Sequence, residues 1–367
     1  MSEPVASAVE LSAADDSAAL EMLHELGCTD GLPVVIPTAE RVERMVLASG
    51  YDGDLALGEM GPQMGIATIR MVATAAVMAG CLPDHMPVVL AAVRAVVNPE
   101  FDLTEMQSTT HCTAPLVIVN GPAQSVCGPI ASGFGALGPG HRANASIGRA
   151  LRLAMINIGG ARPGESDMAL LGHPGKFTYC LAEAEAISPL PPLHVDLGFQ
   201  PEDSTVTVIG AEAPHSVLFS GDADAPDAPD RLLQTLAIGL ANLATNNAVL
   251  RHGAAVVVLN PEHAQILADA NYTRAQISER LVQLCVHDRA TLQQFAPAFT
   301  AKIKSDPVPA FADPADIIVL VAGGTGLYSM VMPSWCAGPH RNRAVTQRIE
   351  LDQSCEIPGQ GMSSASN

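Results

Sequence analysis

The sequence predicts an α/β protein made of two mainly parallel α/β layers with covering helices. Three observations predict it. Apolar residues make up 48% of the 367 residues and aromatic ones only 4%. The core is therefore built of Ala, Val, Leu and Met, as in helix-rich α/β proteins rather than β-sandwiches. Short apolar runs bounded by turn residues, at 115–120 (PLVIVN), 254–259 and 316–322, read as strands buried on both faces. Helix-period stretches alternate with these strands, which favours parallel pairing under a helical cover.

Taken in order, residues 20–26 give a short helical segment. Asp30-Gly31 marks a turn and 32–36 a short buried strand. Thr38 caps a helix over 39–48. After a Gly/Pro-rich loop at 50–64, residues 66–79 read as a helix apolar on nearly every side, hence buried. Asp84 caps a second apolar helix, 86–97, with Pro87 in its tolerant first turn. Residues 101–113 are polar loop, and strand 115–120 closes at Gly121-Pro122. A helix spans 147–158, capped by Asn144 or Ser146, and another spans 177–186. The Pro-rich shift at 188–203 sets a boundary. It separates an N-terminal α/β domain (20–195) from a C-terminal one (196–352), between flexible segments at 1–19 and 353–367.

The second half begins with strand 204–210 and an acidic exposed loop at 221–230. A long helix over 231–251 precedes strand 254–259. Asn260-Pro261-Glu262 opens the next helix, Thr273 caps one over 274–286, and strand 316–322 runs into Gly323-Gly324-Thr325-Gly326. No 20–50-residue period marks a solenoid.

The formal charge of −19 argues against nucleic acid or an anionic membrane as partner. No apolar run reaches the roughly 18 residues of a membrane span. The acidic N-terminus lacks the basic start of a signal peptide. The eight cysteines are scattered without a CxxC pair, as expected of reduced, buried thiols in a cytoplasmic protein.

Against that acidity, the glycine-dense segment 133–176 stands out for its cations. Arg142, Arg149, Arg152 and Arg162 either bind a small anion or pair with Glu165, Asp167 and other acids of the chain. Arg142, with Asn144 or Ser146 at the start of the following helix, makes an anion clamp. Gly133-x-Gly135-x-x-Gly138 matches the dinucleotide fingerprint only formally: it does not follow a strand directly, and Pro139 interrupts it. The cofactor stays unknown.

Cys112, in STTHCT just before strand 115–120, is the first candidate nucleophile. It needs a cation or helix end to become a thiolate. His111 is adjacent, and on an extended backbone its side chain points the opposite way. His141 and His173 are therefore the candidate bases. Lys176, in the His173-Pro-Gly-Lys176 turn, is a candidate for imine or base chemistry. Glu165 and Asp167 are expected as counter-ions of Arg162 and Lys176. Gly324, Thr325 and Gly326 form a second anion-holding turn. Cys336 and His340, beside the single tryptophan Trp335, make a rival thiol site.

The stretches CTDGLPVV (28–35), AGCLPDHMPVVLAA (79–92), APLVIVNGP (114–122), GPGHRANASIGRALRL (138–153), GGARPGESDM (159–168), LGHPGKFTYC (171–180), LNPEHAQILADANYT (259–273) and VAGGTG (321–326) are similar to a family of largely uncharacterised bacterial proteins. Members are often encoded beside small proteins with a Cys- or selenocysteine-containing UGSC motif. The resemblance covers nearly the whole chain and implies a cytosolic enzyme or enzyme component with thiol or redox chemistry. It carries over no catalytic residue. The histidine that the family leads one to expect after the GGTG turn is Tyr328 here.

Three functions follow as expectations. The first is an enzyme acting on a small anionic, carboxylate-type substrate through a cysteine thiolate with His and Arg assistance, as a hydrolase, a lyase or a thiol-dependent oxidoreductase. The second is a metal-dependent hydrolase or lyase with His111, His141, His173 and a cysteine or acid as ligands, although no ligand spacing marks a metal site. The third is a non-catalytic subunit that binds a small acid or a partner's thiol-bearing loop. A homo-oligomer is expected.

Overall fold

The computed structural model describes residues 9–220 and 225–351. Their strands are β1 (Ala56–Met60), β2 (Gly65–Thr68), β3 (Ala114–Asn120), β4 (Cys180–Ala182), β5 (Thr205–Ala211), β6 (His215–Leu218), β7 (Ala255–Leu259), β8 (Val286–His287), β9 (Val308–Pro309), β10 (Ile317–Val321), β11 (Tyr328–Met332) and β12 (Val345–Arg348). Two four-stranded sheets run in the orders β12-β5-β3-β4 and β10-β7-β11-β6, and β1-β2 and β8-β9 are small separate pairs. The general α/β class holds: helices and mixed sheets, with no barrel among the described residues.

Side-chain parity explains why the central strands read as uninterrupted apolar runs. In β3, Val117 and Val119 pack under the helices Ile69–Met78, Met86–Val97 and Arg142–Asn157. Leu116 and Ile118 point the other way, into a layer shared with Val256 and Val258 of β7 and Leu320 of β10. The opposite faces of β7 and β10, with Val257 and Val319, pack under Ala228–Leu240, Pro261–Asp269 and Arg274–Leu284. The two sheets thus share a dry inner layer, and each carries helices outside. Arg274 joins the layers: its Nη2 is 3.0 Å from Glu183 Oε1, just after β4, and its Nε is 2.6 Å from Asp196. The boundary expected at 188–203 falls between β4 and β5, which belong to one sheet.

The mainly parallel pairing is corrected. Only β3/β4 and β7/β10 are parallel; β3/β5, β5/β12, β7/β11 and β6/β11 are antiparallel. A parallel neighbour needs a crossover of about a dozen residues or more. The turn 322–327 is too short for one, so β11 returns antiparallel.

Local expectations divide. Thr38 accepts the Arg41 N–H and starts the helix Ala39–Ser49, and Thr273 forms a capping box before Arg274–Leu284. Asn260 caps Pro261–Asp269. Residues 32–36 are not a buried strand: Leu32 is 44% exposed and Val35 42%. The helix expected from 66 begins at Ile69, because 65–68 belong to β2. Residue 85, not Asp84, is the N-cap of Met86–Val97. A helix Leu103–Ser108 interrupts the loop expected at 101–113. Residues 177–186 carry the three-residue strand β4 instead of a helix; pairing with β3 overrides their helix propensity. The long helix 231–251 is two, Ala228–Leu240 and Asn246–Leu250. Residues 1–8 of the N-terminal segment, 221–224 of the acidic loop and 352–367, which include the tail expected at 353–367, lie outside the described residues. No helix among the described residues is long and apolar enough to cross a membrane.

Candidate functional site

Three segments meet at one end of the first sheet: the loop entering β3, the segment 167–179 leading to β4, and Glu212 just after β5. Backbone bonds zip the first two together, with Met168 N–H donating to Gln107 O at 3.2 Å and Leu170 N–H to Thr110 O at 3.0 Å. β3 and β5 are antiparallel with Ala114 opposite Ala211, which brings Glu212 beside the β3 loop.

Buried Asp167 anchors the charges. Lys176 Nζ lies 2.8 Å from its Oδ1 and Arg152 Nη2 lies 3.0 Å from its Oδ2. Asp167 is thus the counter-ion expected for Lys176, but its second partner is Arg152; Arg162 turns elsewhere, and Glu165 is exposed. Burial holds the Lys176 ammonium below its ordinary range, and Asp167 pulls the other way. Cys112 lies close enough that a negative charge on its sulfur also favours the charged lysine.

Cys112 differs from the other thiols among the described residues. Cys81, Cys127, Cys180, Cys285 and Cys336 are buried, while Cys112 and Cys28 are half-buried. Burial pushes Cys127, Cys180 and Cys285 up to about 12, and Cys81 and Cys336 further. It also raises Cys28. Such thiols stay protonated and inert.

His111 and His173 have opposite hydrogen-bond polarity. His173 Nδ1 accepts the Gly175 N–H at 3.1 Å, so the neutral ring carries its proton on Nε2. That Nε2 is buried, and the Ala211 carbonyl is the one backbone group that favours its protonated ring. Burial, then the charge of Lys176, pushes His173 down to about 4, so it is neutral at pH 7. With Nδ1 engaged and Nε2 protonated, His173 presents a donor, which corrects the expectation that it is the base for Cys112. His111 Nε2 lies 2.8 Å from Glu212 Oε1, and its Nδ1 is buried without a partner. Tyr179 fixes the same corner: its hydroxyl donates to Glu212 O at 2.8 Å and its ring edge meets His173 at 5.7 Å. The Thr113 N–H donates to His111 O at 3.1 Å, closing a three-residue turn centred on Cys112. The backbone is not extended there, so the reason for placing His111 and Cys112 on opposite sides does not apply.

The remaining expected site residues are used elsewhere. His141 is the N-cap of Arg142–Asn157 and its Nε2 bonds Phe134 O at 2.9 Å. Arg142 donates to Gly80 O at 3.3 and 3.0 Å. Asn144 and Ser146 are not caps but lie buried inside that helix. Asn144 Oδ1 accepts the Ala131 N–H, and its Nδ2 donates to Ala131 O and Ala136 O, at 2.8, 2.8 and 2.9 Å. Arg149 grips Asp30 bidentately, both bonds at 2.8 Å, and donates to Pro33 O at 2.9 Å. Arg162 donates to Leu26 O and Gly27 O, both at 3.2 Å. Arg142 and Arg149 fasten the Gly80 loop and the N-terminal segment to the helix, and Arg162 ties that segment to the loop after the helix. The anion clamp is therefore replaced by internal ties.

The turn 323–326 lies against the glycine loop: the Gly323 N–H donates to Ser132 O at 2.7 Å, and a side chain on Gly324 would collide with the Phe134 ring. Thr325 is exposed, and Gly326 O accepts from Asn260 Nδ2 at 2.9 Å. The single hollow expected to join Cys112, His141 and Arg142 is thus divided. Cys112 lies in the loop that pairs with the segment carrying His173 and Lys176, and Lys176 Nζ reaches Thr113 O at 3.5 Å; His141, Arg142 and the GGTG turn do not join them. The rival thiol site dissolves as well: His340 Nδ1 bonds Asp102 Oδ1 at 2.7 Å, and buried Cys336 donates to Ser334 O.

Among the described residues, no three His, Cys, Asp or Glu side chains converge to hold a metal ion. The sequence reading missed Glu212, Arg152 as a partner of Asp167, and Tyr179. For Glu212 the signal was an acid directly after the alternating strand 204–210. No family model matches the chain, and no curated protein matches it.

Proposed function

We propose that this chain is an enzyme that acts on a small anionic, carboxylate-type substrate through a Cys112 thiolate. The observation that carries this reading is the half-buried Cys112 with the Lys176 ammonium 3.5 Å from the carbonyl of the next residue, Thr113, where buried Asp167 holds it. A cation next to a thiol stabilises the nucleophilic thiolate. The same cation attracts an anionic substrate. Lys176 takes the part first expected of arginine. Hydrolase, lyase and thiol-dependent oxidoreductase chemistry all begin from this arrangement. The resemblance to proteins encoded beside UGSC-motif partners supports thiol chemistry in a bacterial cytoplasm. Leu170 and Leu171, 79% and 95% exposed next to the site, support an oligomer in which another copy covers them.

The test is protection. Small mono- and dicarboxylates are screened for slowing iodoacetamide modification of Cys112, followed by peptide mapping. At least one is expected to protect the native chain and to lose that effect in Lys176→Met. Equal modification with every carboxylate, and equal rates in Lys176→Met, would remove the reading.

A further inference from the structure

We infer that His111, held by Glu212, is the base of this site and takes the proton of the Cys112 thiol. The inference rests on Cys112 being the nucleophile and adds the group that activates it. Three observations carry it. Glu212 accepts from His111 Nε2 at 2.8 Å, so the Nε2–H tautomer is fixed and Nδ1 keeps its lone pair. That Nδ1 is buried and has no hydrogen-bond partner, an unfavourable state unless another group uses it. The hydrogen bond from Thr113 N–H to His111 O folds the backbone at Cys112, so these two neighbours do not stand on opposite faces of an extended strand. His173 cannot compete, because its Nδ1 already accepts the Gly175 N–H.

The step is a proton transfer. The S–H bond of Cys112 breaks, its electron pair stays on sulfur, and the proton joins His111 Nδ1. The imidazolium that forms lies against the Glu212 carboxylate, and the thiolate lies near Lys176. Glu212 is a positioning residue, as a carboxylate is wherever it sets the tautomer and orientation of a catalytic histidine. The charged and titratable groups around His111 are Glu212 after β5, His173 and Lys176 before β4, and Asp167 with Arg152 behind the lysine.

The experiment uses the full chain, iodoacetamide at pH 7 and peptide-resolved mass spectrometry. His111→Ala is expected to slow modification of Cys112 at least about tenfold, and added imidazole to restore part of the rate. Glu212→Gln slows it, and Glu212→Asp restores more of it than Gln does. In parallel, long-range ¹H–¹⁵N spectra of the wild type should show His111 protonated on Nε2, a tautomer lost in Glu212→Gln. This second readout holds if His111→Ala does not fold. An unchanged rate in folded His111→Ala, or an Nδ1–H tautomer in the wild type, overturns the inference. A different outcome marks failure of the underlying reading: wild-type Cys112 reacting no faster than Cys28, whatever stands at position 111.

Discussion

Replacing Asp167 by Asn removes the one carboxylate that neutralises Lys176 and Arg152, with almost no change of shape. The side chains of Asp167, Lys176 and Arg152 are 3%, 13% and 9% exposed, and the two cations lie 2.8 and 3.0 Å from the carboxylate. At an effective dielectric of about 20, unit charges at such distances attract by about 6 kcal/mol each. Much of that is offset, because the wild type already bears the desolvation of the aspartate. Breaking a buried ion pair from one side costs about 3–5 kcal/mol, since an uncompensated charge remains. We expect Asp167→Asn to lose about that much in urea unfolding at pH 7, read as a lower midpoint at constant slope. The double variant Asp167→Asn/Lys176→Met should recover part of the loss, because it removes one stranded cation. A loss below about 1 kcal/mol, the size of an exposed pair, would refute the claim that this cluster is buried and mutually neutralised.

Other outcomes follow from the same geometry. Asn144→Ala leaves the Ala131 N–H and the Ala136 carbonyl of the glycine loop without partners, so it should cost about 1–3 kcal/mol and speed proteolysis within 131–140. Unchanged cleavage would contradict that tie. Gly148→Ala places a methyl 2.5 Å from Tyr179 N and should cost about 1–3 kcal/mol by overpacking; wild-type stability would show that this helix–strand contact is loose. His173 is pushed from 6.5 to about 4 in the folded chain. Its stabilising contribution is therefore complete above pH 6.5 and is lost as pH falls toward 4, where the unfolded chain binds the proton first. Urea midpoints of His173→Gln should fall less than those of the wild type between pH 6.5 and 4.5, and parallel curves would contradict the assignment.

What the sequence displayed well was local chemistry with a short range. Thr38, Asn260 and Thr273 cap helices through bonds that span only a few residues, and all three were readable. The apolar runs at 115–120, 254–259 and 316–322 were readable as strands because both of their faces are buried. Pairing direction was not, since it depends on where a chain returns. β11 lies beside β7 although its predecessor in sequence is β10. The segment 177–186 is rich in Ala and Glu, and only its long-range partner β3 makes part of it a strand.

The candidate site was legible as residue types but not as partners. Cys112, His173 and Lys176 were singled out, and they lie on two segments that pair with each other. The arginines were conspicuous because cations are scarce, yet scarcity does not distinguish a ligand clamp from an internal tie. Arg149 could not be assigned to Asp30, more than a hundred positions away, without the fold. Glu212 lies a similar distance from His111. The argument that separated His111 from Cys112 assumed an extended backbone, and the turn closed by Thr113 removes that premise.

The most direct measurement is the rate of iodoacetamide modification of every cysteine in the native chain at pH 7, resolved by peptide. Among the seven cysteines of the described residues, Cys112 should react first, at least about tenfold faster than Cys28 and than the buried Cys81, Cys127, Cys180, Cys285 and Cys336. A native chain in which Cys112 is modified no faster than those thiols would contradict a reactive sulfur at this site.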